Sequence, residues 1–132
     1  MSGDLKDYIE YRLSRADNTL KDAQLLAHNN SWNSCVNRLY YACFYTISAL
    51  LIQKGHNPKS HKGVRTIFFK EFIKTGIIEK EYSKLYSDLF DWRDEGDYAD
   101  FVDYDSETVT PMIAKVENFI KILKDKIRTT LH

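Results

Sequence analysis

Apolar residues recur at every third or fourth position along most of the chain, the spacing that lines one face of an α-helix. Over residues 4–28 the stripe is Leu5, Tyr8, Ile9, Leu13, Ala16, Leu20, Ala23, Leu26 and Ala27, with charges on the opposite face. This predicts a first amphipathic helix. Residues 31–54 read differently: between Val36 and Ile52 the only charged side chain is Arg38. A helix that is apolar on most sides is buried on most sides, so this second helix is expected at the centre of the molecule. Asn29, Asn30 and Ser31 interrupt the pattern between the two, and Ser31 is placed to cap the second helix. So short a connection predicts antiparallel packing.

Gly55 and Pro58 close the second helix, since glycine suits a C-cap and proline cannot continue the ladder. Ser60 is the expected cap of a third helix over 60–74, with Val64, Ile67, Phe68 and Phe72 inward and Gly76 after its end. A fourth is predicted over 79–96 from Tyr82, Leu85, Tyr86, Leu89, Phe90 and Trp92, with Gly96 as its stop. Residues 97–105 form an acidic, aromatic loop. The last helix opens at Asp105 or Ser106, tolerates Pro111 in its first turns, and buries Met112, Val116, Phe119, Ile120, Leu123 and Ile127. Its end carries Lys121, Lys124, Lys126 and Arg128, which complement a helix C-terminus. No strand-period run, internal repeat or low-complexity segment stands out. The expectation is an all-α, up-and-down bundle of four to five antiparallel helices, forming one domain over residues 1–132.

At 132 residues such a chain can bury a core without disulfide or metal. Nineteen basic and nineteen acidic residues cancel, so a nucleic-acid role would have to rest on a local patch. Cys35 and Cys43 fall eight residues apart on one helix, about 12 Å along its axis, too far to bridge. They read as small core residues of a cytoplasmic protein. The first ten residues lack a signal-peptide pattern. The central apolar run, broken by Asn37, Arg38, Thr46 and Ser48, is judged too short for a membrane span. The histidines, His28, His56, His61 and His132, form no i,i+4 pair, and no metal or cofactor is expected. The five glycines are scattered and make no phosphate loop.

What remains is a set of polar side chains on apolar faces or at helix ends. Arg38 follows Asn37 and has Tyr41 and Tyr45 at i+3 and i+7, on one side of the buried helix. Arg93 stands at i+4 from Leu89 and i+8 from Leu85, on the apolar stripe. His61, Asp97 and Tyr98 complete the set. Whether they converge depends on the order in which the helices pack. The bland alternative is structural, with Arg38 and Arg93 paired to Asp91, Asp94 or Asp97 and the tyrosines filling the core.

Three blocks carry a resemblance: Asn37-Arg38-Leu39-Tyr40-Tyr41-Ala42-Cys43-Phe44; Ser60-His61-Lys62-Gly63; and Arg93-Asp94-Glu95-Gly96-Asp97-Tyr98. In this order and spacing the chain resembles the HEPN superfamily, in its branch of small stand-alone prokaryotic proteins. The resemblance implies a four- or five-helix bundle that forms homodimers and takes nucleic-acid or nucleotide-related roles. It also implies a place in toxin–antitoxin or defence systems, often beside a minimal nucleotidyltransferase partner. HEPN ribonucleases carry an Arg-x(4–6)-His motif. Its arginine maps onto Arg93, but its histidine would fall where this chain has Tyr98, Ala99 and Asp100.

Two functional readings follow. In one, a non-catalytic module binds single-stranded RNA or nucleotides through Arg38, Tyr41, His61, Arg93, Asp97 and Tyr98, guanidinium groups taking phosphates and aromatic rings taking bases. In the other, a metal-independent endoribonuclease uses Arg93 with His61 or Tyr98; of these, histidine has the pKa suited to proton transfer near neutrality. Nine tyrosines and seven phenylalanines exceed what one bundle comfortably hides, a further reason to expect a homodimer. No membrane association is expected.

Overall fold

The computed structural model describes residues 3–98, 100 and 102–130. Met1, Ser2, Ala99, Phe101, Leu131 and His132 lie outside the described residues, so the fourth histidine weighed above is not placed. The helices are α1 (Gly3–His28), α2 (Trp32–Gln53), α3 (His61–Phe68), which runs on into a π turn at Phe69–Ile73, α4 (Glu81–Tyr98) and α5 (Ser106–Thr130). Among the described residues there is no strand, and the all-α bundle is as expected.

α2 is the centre, packing against α1, α3, α4 and α5. Its buried set, including Leu39, Tyr40, Cys43, Ile47 and Leu50, covers most of its circumference. Around it close Ile9 and Leu13 of α1, Phe68 of α3, Tyr86 and Leu89 of α4, and Phe119 and Leu123 of α5. Each such side chain contributes about 1.5–3 kcal/mol when fully covered. α2 is in fact long and apolar enough to cross a membrane by length and composition alone, so its length does not exclude a span. Most of that stretch is instead covered by the other helices.

The turns show where local chemistry acts. Asn30 takes a left-handed conformation (φ 57°) in the α1–α2 turn, which asparagine tolerates better than most residues. Ser31 precedes α2 without capping it: its side chain accepts no backbone N–H there. Ser60 does cap α3, its Oγ accepting from Gly63 N at 2.9 Å, and Asp105 opens α5 by accepting from Thr108 N at 2.9 Å. Gly96 does not stop α4, which continues to Tyr98. A Cβ at Gly96 would lie 3.1 Å from the Tyr104 ring, so the glycine serves close packing of the 102–105 segment. That ring is fixed by its hydroxyl, which donates to Trp92 O at 2.9 Å.

The bundle hides most of the aromatic side chains. Among the described residues, Tyr8, Tyr11, Leu25, Ile77 and Tyr98 are the exposed large apolar ones.

Candidate functional site

Tyr40, fully buried on α2, is the hub of the site. Its hydroxyl lies 2.6 Å from His61 Nδ1, at the first position of α3, and receives a long hydrogen bond of 3.4 Å from Tyr86 Oη of α4. The Arg93 guanidinium sits 4.8 Å from the centre of the Tyr40 ring. His61 is in turn sandwiched into the aromatic cluster, stacked on Phe44 at 4.4 Å. Three helices thus bring a phenol, an imidazole and a guanidinium together, because the inward faces of α2, α3 and α4 meet at this level.

Tyr41, the next residue, faces the rim. Arg93 Nη1 donates to its hydroxyl at 3.4 Å, and the Arg38 guanidinium lies 5.4 Å from its ring centre. Such contacts hold a cation through the ring's negative face. Arg38 also donates from Nε to Asn37 Oδ1 at 2.9 Å, while Asn37 Nδ2 donates to Asp97 Oδ2 at 2.9 Å. Asp97 therefore joins the edge of the site through Asn37. Tyr98 is 77% exposed and stands outside this ring of contacts.

Among the described residues the two arginines have little carboxylate neutralisation. Arg93 Nη2 is 3.7 Å from Asp94 Oδ1, and Asp94 is 64% exposed; an exposed pair at this distance contributes little. Arg38 reaches Asp97 only by way of the Asn37 amide. Arg93 thus makes one of the ion pairs that the structural alternative expects, and Arg38 makes none among the described residues. The Arg93 Nε is buried and has no hydrogen-bond partner among the described residues.

Burial pushes the Tyr40 hydroxyl up to about 12, so it remains a phenol throughout the neutral range. Burial, helped by the Arg93 charge, lowers His61 below its ordinary value of 6.5, leaving the imidazole neutral at pH 7. Among the described residues no group of three or more His, Cys, Asp or Glu side chains is placed to hold a metal ion.

The sequence reading missed Tyr40. The i+3 and i+7 steps from Arg38 lead to Tyr41 and Tyr45 and pass over Tyr40. A hydroxyl in the middle of a fully apolar stripe requires a partner, and that requirement was the available signal.

Residues 9–126 match the model of the HEPN domain. The chain belongs to the HEPN family. It is 44% identical over 119 residues to a Thermotoga maritima protein named "UPF0332 protein", covering 90% of each chain. A Methanocaldococcus jannaschii protein named "Putative toxin MJ0142" is 30% identical, over 90% of this chain and 81% of its own. A second protein of that organism, "Putative toxin MJ0605", is 29% identical over 99% and 97%. This HEPN chain lacks the histidine of the Arg-x(4–6)-His motif, yet its fold sets a different histidine, His61, against the same Tyr40 ring that carries Arg93.

Proposed function

We propose that this HEPN module belongs to a toxin–antitoxin or defence system and binds single-stranded RNA at the face formed by Arg38, Tyr41, His61 and Arg93, with Asp97 and Tyr98 at its margin. The observation that carries this reading is that two guanidinium groups rest on the Tyr40 and Tyr41 rings, Arg93 with only the long contact to exposed Asp94 and Arg38 with no ion pair among the described residues. Such groups offer donors whose charge is little neutralised, which suit phosphate oxygens. Half-buried Tyr41 and exposed Tyr98 supply faces for bases.

A second reading, RNA cleavage, draws support from one specific relation: His61 and Arg93 share the Tyr40 ring. Cleavage by attack of the 2′-hydroxyl would need His61 to accept a proton while Arg93 steadies the phosphorane. Its likeness to proteins named as toxins fits either reading. We further propose a homodimer, a minimal nucleotidyltransferase as partner protein and a cytoplasmic location. The first two rest on the family resemblance, and the last on the two reduced, buried thiols.

Incubating the purified chain with total RNA separates the two readings. Retention of intact RNA supports binding. Fragments that appear with wild type and vanish in both Arg93→Ala and His61→Ala establish the enzyme. Neither retention nor cleavage overturns both.

A further inference from the structure

We infer that the RNA-binding face continues beyond the Arg93 pocket onto α1, so that the ligand is an extended single strand of several nucleotides rather than a mononucleotide. This rests on the reading proposed above. Tyr41 packs against Tyr45 at 6.0 Å between ring centres. The Tyr45 hydroxyl accepts from Arg15 Nη2 at 3.1 Å, and its ring has the Arg15 and Arg12 guanidinium groups at 5.1 and 5.7 Å. Arg12 in turn donates from Nη2 to Tyr8 Oη at 2.7 Å, and Arg15 donates from Nη1 to Tyr11 Oη at 3.3 Å. A continuous chain of guanidinium and phenol groups, linked at one step by the Tyr41–Tyr45 ring pair, runs from α4 to the exposed face of α1.

The chemistry of this track favours an anionic strand. In each of the hydrogen bonds of this track an arginine donates and a phenol oxygen accepts, so each hydroxyl hydrogen remains available to a further acceptor. Donation from a cation also polarises the phenol toward stronger donation. The surface is therefore rich in donors and in positive charge. Phosphodiester oxygens are acceptors only, and negatively charged. Glu10, the single acid between Tyr8 and Arg15, does not cancel the charge, for it is drawn to Arg128 of α5 at 3.3 Å.

The geometry also sets the extent. α1 runs antiparallel to α2, so the track from Arg38 to the level of Ser48 covers about 15 Å at ~1.5 Å per residue. That is longer than one nucleotide. Alongside it a cleft of ≈ 350 Å³ lies between α1, α2 and the start of α3, running from His61 and Phe44 of the pocket to Tyr8 and Arg12 of α1 and lined by Ser60 among others. This volume is at the lower end of small-ligand sites and suits one base. The stacked Phe44–His61 pair forms part of its wall.

The test compares wild type, Arg93→Ala and the double variant Arg12→Ala/Arg15→Ala in binding a fluorescent poly-uridine strand about ten nucleotides long and a dinucleotide. The expected result is a roughly tenfold or greater loss of affinity for the longer strand in the double variant, with the salt slope lowered by about 1.4, as expected for two lost phosphate contacts. The gain in affinity from dinucleotide to longer strand should shrink accordingly. Arg12→Lys/Arg15→Lys keeps the charge and should recover part of the slope, which a folding defect would not allow. If wild type binds neither RNA, both the proposed function and this extension fail. If wild type binds and Arg93→Ala weakens it while the α1 variants match wild type, the extension alone is overturned and the α1 face serves another occupant.

Discussion

The Tyr40 hydroxyl and His61 Nδ1 lie 2.6 Å apart, and the direction in which the proton is shared decides what His61 can do. With Tyr86 donating to Tyr40, the Tyr40 hydrogen is free to point at Nδ1. The neutral imidazole then carries its hydrogen on Nε2 and acts as a donor, which suits holding a phosphate. The opposite tautomer, with Nδ1–H donating to Tyr40, leaves Nε2 as a base, which suits cleavage. Nitrogen-15 NMR of His61 near pH 7 distinguishes them. The binding reading predicts the Nε2–H form.

His61 also predicts a pH dependence of stability. Its folded pKa is below 6.5, so the folded chain takes up this proton less readily than the unfolded chain. The stability tied to this group is therefore complete above about pH 6.5 and is lost as pH falls through the lower folded value. The melting temperature of wild type should fall over that window more steeply than that of His61→Gln. Parallel profiles would show that His61 titrates as it does in the unfolded chain.

Arg93 is the second cause of the lowered His61 value, after burial. In Arg93→Ala the His61 titration midpoint should move upward, yet stay under 6.5 because the burial by Phe44 and Tyr40 persists. An unchanged midpoint would mean that the Arg93 charge is not felt at the imidazole.

Tyr40→Phe keeps the ring and removes the oxygen between Tyr86 and His61. Leaving those two groups without their shared partner should cost about 1–3 kcal/mol. Tyr41→Phe loses a 3.4 Å bond at a half-buried site and should cost under about 1 kcal/mol. Chemical denaturation of the two variants ranks them, and equal losses would remove Tyr40 from its place as hub.

Most of the fold was legible in the sequence because helix-period stripes map directly onto burial. Residues such as Leu13, Phe68, Leu89 and Phe119 are core in both. Gly96 and Ser31 were misread for opposite reasons. Glycine usually ends a helix, but here the Tyr104 ring takes the space that a Cβ would fill, a contact from another segment that no local pattern reveals. Serine usually caps one, but the Ser31 backbone (φ −92°, ψ 73°) differs from the extended form at Ser60 (φ −128°, ψ 156°), whose hydroxyl does cap. Four of the six candidate site residues, Arg38, Tyr41, His61 and Arg93, could be picked out as polar groups on faces or ends that expect cover. Their convergence could not, since it depends on α3 and α4 approaching the same level of α2.

Gly96→Ala tests that account of Gly96. Alanine gains about 1 kcal/mol in helix propensity, while crowding a ring costs about 1–3 kcal/mol. Because the Tyr104 ring is pinned to Trp92 O, crowding should win and the variant should melt below wild type. A higher melting temperature would show that the ring can yield.

The most direct test of the central claim is the affinity of wild type and Arg38→Ala for a short single-stranded RNA, measured by fluorescence anisotropy across a salt series and set beside their melting temperatures. Binding at the Arg38–His61–Arg93 face predicts a wild-type affinity that weakens with salt, a variant several-fold weaker with its slope reduced by about 0.7, and equal melting. Wild-type binding that Arg38→Ala leaves intact, or no binding at all, would contradict it.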